Sequence, residues 1–76
     1  MNKIIFDFRE YQNTEEFHED VIKKLGLTNY YGKNLDAFND ELSNLSKTQY
    51  EIKMIYGGQI SSKYQDIVRE IIQNNH

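Results

Sequence analysis

Only two stretches of this chain alternate in the manner of β-strands. Lys3-Ile4-Ile5-Phe6-Asp7-Phe8 is β-branched and aromatic, with Ile4, Phe6 and Phe8 on one face and Ile5 and Asp7 on the other. Tyr50-Glu51-Ile52-Lys53-Met54-Ile55-Tyr56 alternates likewise and stops at Gly57-Gly58. Two helical stripes lie between these runs and a third follows them. A strand reached through helices pairs parallel with its predecessor, because a parallel neighbour needs a long crossover and an antiparallel one only a tight turn. The order β-α-α-β-α therefore predicts an α/β fold, a small parallel sheet of two strands packed with three helices. Such a sheet leaves open edges unless helices or a second copy of the chain cover them.

The helices are legible from caps and apolar spacing. Asn13 is placed to cap the first, with Glu16 as its capping-box partner. Phe17, Val21 and Leu25 recur at i, i+4 and i+8, and Gly26 is the expected stop. Thr28 to Lys33 reads as a loop. Asn34 then caps a second helix whose Leu35, Phe38, Leu42 and Leu45 form an apolar stripe. At about 100° per residue, Asp36, Asp40 and Ser43 fall on the opposite side. Ser62 with Gln65 suggests another capping box. Beyond it Tyr64, Ile67, Val68, Ile71 and Ile72 share one side of a last helix, with Asp66 and Glu70 on the other. His76 is terminal and is expected to fray.

With 76 residues and no repeat, low-complexity tract or proline, residues 1–76 are expected to form a single domain. A chain of this size buries only about 60% of its unfolded surface, so its stability is modest. It has no cysteine to add a disulfide or a thiolate metal site. The segment MNKIIFDFRE lacks the apolar core of a signal peptide, and no apolar run approaches the roughly 20 residues that span a bilayer. A soluble, cytoplasmic protein without a membrane partner is the expectation. Nine basic against twelve acidic residues give a net charge of −3. That argues against direct binding to nucleic acid, whose phosphates repel an acidic surface, and permits a basic protein as partner.

Residues 30 to 46, YYGKNLDAFNDELSNLS, concentrate the question of function. Asp36, Asp40 and Glu41 stand there against Lys33 as the single base. One reading is a solvated helix face, since a carboxylate in a first helical turn is favoured by the helix dipole. A second is an oxygen-rich metal site, from Asp36, Asp40 and Glu70 with His18 as a nitrogen donor. His18 sits on another helix among Glu15, Glu16 and Glu19, and no ligand-spacing motif, nucleophile elbow or phosphate-cradling loop is present. The sequence therefore points away from an enzyme, and no cofactor is implied. The third reading is protein recognition. A tyrosine pair supplies rigid contact area, a glycine permits close backbone approach, and the carboxylates complement an arginine or lysine cluster. Of Tyr30 and Tyr31, one is expected to be buried and the other exposed.

The run Tyr30-Tyr31-Gly32-Lys33-Asn34-Leu35-Asp36-Ala37 resembles the signature of the barstar family, intracellular inhibitors of secreted barnase-type ribonucleases. Glu16-Phe17-His18 and Lys23-Lys24-Leu25-Gly26-Leu27 resemble the family's first helix, and the likeness resumes at Val68-Arg69-Glu70. The resemblance implies a protein that blocks a ribonuclease or nuclease toxin by filling its active site, protecting the producing cell. It implies that Asp40 takes the place of a substrate phosphate and that Asp36 adds a contact at the rim. Tyr30 would press on the edge of the substrate cleft, and Gly32 would keep the loop low. Glu70 would pair with a basic residue of the enzyme. Tyr31, Asn34, Asn39 and Ser43 complete the implied face.

The chain also departs from that pattern. Asn39 stands where the family leads one to expect a tryptophan, and Lys33 where an acid is common. The segment from Gly57 to Ser62 is shorter than expected. The family's last strand, which pairs with the first, has no counterpart after Glu70, where only IIQNNH remains. An open first-strand edge then suggests either a homodimer through that edge or a shortened relative of the family. The rival functional reading is a small acidic adaptor that uses the same face on a basic partner without nuclease activity.

Overall fold

A computed structural model describes residues 2–28 and 30–76 and contains the predicted parallel pair. Strand β1, Asn2–Asp7, lies beside β2, Tyr50–Ile55, with Asn2 opposite Tyr50, Ile4 opposite Ile52 and Asp7 opposite Ile55. The helices are α1 (Thr14–Leu25), α2 (Leu35–Asn44) and α3 (Ser62–Asn75). The fold is α/β, two parallel strands with three helices. Phe8 leaves the strand for a short 3-10 turn, Phe8–Glu10, yet stays buried on the face begun by Ile4 and Phe6. Asp7 caps that turn through its carboxylate, which accepts from the Arg9 N–H and pairs with the Arg9 guanidinium at 2.8 Å.

The core is built on aromatic rings. Phe17 of α1 sits at its centre, with ring centroids 4.8 Å from Phe8, 5.3 Å from Phe38 and 5.5 Å from Phe6. The contacts to Phe6 and Phe38 are edge-to-face, the arrangement the ring quadrupole favours, and each such pair contributes about 0.5–1.5 kcal/mol beyond its buried area. Val21, Leu42, Val68 and Ile72 close the space around the rings. The apolar stripes of the three helices thus converge on one face of a sheet whose other face is half open, with Ile5 and Ile55 exposed.

The helix boundaries follow local chemistry. The Asn13 side chain accepts from the Glu16 N–H, and Glu16 reaches back to the Gln12 N–H at 2.7 Å. Gly26 ends α1 at φ 65°, and the Leu27 N–H bonds Ile22 O at 3.0 Å, the closing bond of a Schellman turn. At the third helix the expected capping box is corrected. Ser61, not Ser62, is the cap, and its hydroxyl accepts from the Tyr64 N–H at 3.2 Å. Gln65 falls on the buried side of α3. There it holds Gly57 by its N–H and C=O at 3.0 Å each, and Ile60 O at 2.7 Å. A buried amide among loop carbonyls satisfies groups that water cannot reach.

The same loop passes close to the 3-10 turn that follows the first strand. Gly58 has φ 74°, and a Cβ there would lie 2.3 Å from Phe8 O, so a side chain is excluded by both backbone conformation and space. The terminal residue also differs from expectation. His76 does not fray: its N–H bonds Ile72 O at 2.8 Å and its Nε2 donates to Leu42 O at 3.0 Å. Leu42 O near the end of α2 already accepts the capping Leu45 N–H at 3.2 Å, and the imidazole adds a second donor to it. No helix among the described residues is long and apolar enough to cross a membrane.

Candidate protein-binding face on the second helix

Asn34 sets the start of α2: its side chain accepts from the Ala37 N–H at 2.8 Å, and it also donates to Gly32 O at 3.3 Å. Phe38 and Leu42 turn into the core, which forces the intervening polar residues outward. Asp36, Asn39, Asp40 and Ser43 are all exposed. Asp36 occupies the first turn, where the helix dipole favours a negative charge. Ser43 donates from its hydroxyl to the Asp40 backbone carbonyl at 2.7 Å, which leaves the Asp40 carboxylate uninvolved. Among the described residues no ion pair forms at Asp36, Asp40 or Glu70. Their charges stay available to a partner.

The loop before α2 divides the tyrosine pair. Tyr30 is 96% exposed and Tyr31 only 7%. Tyr31 is held from within: its hydroxyl lies 2.7 Å from His18 Nδ1, and the other ring nitrogen of His18 lies 2.8 Å from the Tyr64 hydroxyl. Burial, with the Lys33 charge as a smaller cause, pushes the His18 pKa down to about 4, so the imidazole is neutral near pH 7. Burial raises both tyrosine hydroxyls above their ordinary value. Lys33, exposed between Gly32 and the cap, takes φ 53°, a left-handed conformation uncommon for a lysine.

Asn39 is turned toward α3 and accepts from Asn75 Nδ2 at 2.8 Å. Glu70 is exposed on α3, a different helix from Asp36 and Asp40. Among the described residues no group of three or more His, Asp or Glu is placed to hold an ion, and both His18 nitrogens already have tyrosine partners. The sequence reading missed this role of His18. The signal was present: His18 precedes Val21 by three and Leu25 by seven, which places it on the apolar stripe of α1 rather than among its glutamates.

Fold and face together define a small α/β protein with an acidic, partly aromatic surface. The chain belongs to the barstar family. The family described as "Barstar (barnase inhibitor)" matches residues 1–71. The chain is also 38% identical over 76 residues to a Bacillus subtilis (strain 168) protein named "Putative ribonuclease inhibitor YrdF", spanning 96% of this chain and 84% of that one. No solved structure matches significantly. The family is one of inhibitors, not of enzymes.

Proposed function

We propose that the chain inhibits a basic ribonuclease of the barnase type, or a related nuclease toxin, by seating α2 and the loop before it in the active site. A ribonuclease must be electropositive where it holds RNA phosphates, and an acidic plug competes for the same groups. The observation that carries the reading is the exposed pair Asp36 and Asp40, without an internal ion pair among the described residues, together with a fully exposed Tyr30 in the loop that leads into the same helix. Asp40 stands in for a substrate phosphate, Asp36 meets the rim, and Tyr30 lies on the cleft edge. Asn34 and Gly32 shape the loop, Tyr31 holds it from inside, and Asn39 and Ser43 flank Asp40. Glu70 supplies a separate acidic contact from α3. Such an inhibitor acts in the cytoplasm and protects its cell from that cell's own nuclease or from a neighbour's nuclease toxin.

Mixing the protein with a barnase-type ribonuclease and following RNA cleavage tests this. Loss of cleavage at stoichiometric inhibitor supports it. Full cleavage at excess protein, together with capture of a basic non-nuclease partner through Asp40, supports the adaptor instead. Self-association through the outer edge of β1 is a separate proposal. A second copy would have to displace Lys24, whose ammonium donates to Ile5 O at 2.5 Å on that edge, and a lysine there opposes strand pairing. Sedimentation velocity decides it: a monomer at high concentration removes the dimer.

A further inference from the structure

We propose that His18 is the positioning residue of the docking loop, tying the segment that presents Tyr30 to α1 and to the start of α3 through Tyr31 and Tyr64. The inference rests on the inhibitor reading of this face given above. Among the described residues the loop has few ties of its own. The Tyr30 N–H reaches Thr28 Oγ1 at 3.4 Å, the Tyr31 N–H reaches Thr28 O at 3.2 Å, and Asn34 Nδ2 reaches Gly32 O at 3.3 Å. All three are at the long end of hydrogen-bond range. Gly32 and Lys33 are exposed, so the Tyr31 side chain is what anchors residues 30–33 to the core.

That anchor ends on a rigid ring. His18 is 1% exposed, is packed 4.9 Å from the Phe17 centroid, and touches Tyr31 and Tyr64 through opposite nitrogens. A neutral imidazole donates from one nitrogen and accepts at the other, so one tyrosine hydroxyl gives a proton to the ring and its counterpart receives one. The three groups come from α1, the loop and α3, elements far apart in sequence. Tyr30 is the immediate neighbour of the anchored residue, so the direction in which it projects depends on where Tyr31 is held. A loop already ordered in the free protein loses less freedom on docking and binds more tightly for it.

The test uses the full chain with a barnase-type ribonuclease as probe, below the melting temperature of every variant. Wild type is compared with His18→Phe, His18→Gln and Tyr64→Phe. Dissociation constants are measured, together with amide hydrogen exchange in the free proteins. His18→Phe and Tyr64→Phe should weaken binding by about three- to tenfold, the worth of one net hydrogen bond. Amides of residues 30–33 should exchange faster while those of α2 stay unchanged. His18→Gln, whose amide can donate and accept, should restore part of the loss. Equal affinity and equal exchange in wild type and the folded variants overturn the proposal. If wild type does not bind the ribonuclease, the inhibitor reading fails, and loop exchange alone then decides the role of His18. Should His18→Phe not fold, Tyr64→Phe, which removes one hydroxyl, carries the comparison.

Discussion

Asn75 Nδ2 donates to Asn39 Oδ1 at 2.8 Å, fastening the middle of the acidic helix to the end of α3. The same amide donates to Ile71 O at 2.9 Å, so Asn75 is fixed on its own helix as it reaches across. His76, bonded to Leu42 O, makes a second tie between the same two helices. Replacing Asn75 with alanine should cost about 0.5–1.5 kcal/mol, toward the lower end because the pair is exposed. Urea unfolding of Asn39→Ala, Asn75→Ala and the double variant measures it. The double variant should lose less than the sum, since both single changes remove one interaction.

Phe17 is the residue whose loss the core tolerates least. Its ring meets Phe6, Phe8, Tyr11 and Phe38, and it is wholly buried. Phe17→Ala should cost about 3–5 kcal/mol, a large part of the stability of so small a chain. Circular dichroism at rising temperature should show a melting point many degrees lower or no cooperative transition at all.

Glycine geometry separates two positions that look alike in sequence. At Gly26 a Cβ would meet nothing within 4 Å, so Gly26→Ala carries only the left-handed penalty of about 1–2 kcal/mol. At Gly58 the same change also drives a methyl group into Phe8 O. Denaturant unfolding should find Gly58→Ala clearly the more damaging of the two. Lys33→Gly, by contrast, relieves a φ of 53° and should leave stability unchanged or slightly higher.

Stability should fall on mild acidification. The unfolded His18 takes up a proton near pH 6.5 and the folded one only near pH 4. Between those values the unfolded state binds more protons, so stability rises with pH there and is lost as pH drops, by at most about 1.4 kcal/mol per pH unit. Asp7 behaves as a paired carboxylate. The Arg9 hydrogen bond lowers its folded pKa from 3.8, so its contribution is lost only at still lower pH. Urea midpoints between pH 7 and 4 should decline in wild type and flatten over the upper part of that range in His18→Gln.

Much of this was readable in the chain because single residues carried single signals. Alternation marked both strands, Asn13 and Asn34 marked helix starts, and Gly26 marked a stop. The outward set of Asp36, Asp40 and Ser43 followed from the positions of Phe38 and Leu42. What escaped were choices made by tertiary contact. Ser61 and Ser62 are equivalent caps on paper, and burial of Gln65 against Gly57 and Ile60 favours the first. The pairing of Asn39 with Asn75 spans the chain from α2 to its far end, and no local pattern announces it. His18 was read by its acidic neighbours in sequence, whereas its partners, Tyr31 and Tyr64, lie on other elements.

Charge steering gives a further prediction. Barnase and barstar are the standard case of electrostatically guided association, and the proposed site applies the same logic to Asp36 and Asp40. Stopped-flow association with a barnase-type ribonuclease should slow as salt rises, because ions screen charges over roughly 8–10 Å near physiological strength. A rate indifferent to salt counts against steering. Lys33→Asn, which removes the one base among these acids, should speed association at low salt.

The most direct measurement is a titration of wild type and Asp40→Ala into a barnase-type ribonuclease, with RNA cleavage as the readout. The account predicts that wild type abolishes cleavage near equimolar ratio and that Asp40→Ala binds at least about thirtyfold more weakly, a loss of about 2 kcal/mol or more. Identical inhibition by the two proteins would move the contact away from α2. Undiminished cleavage at excess wild type would contradict the account outright.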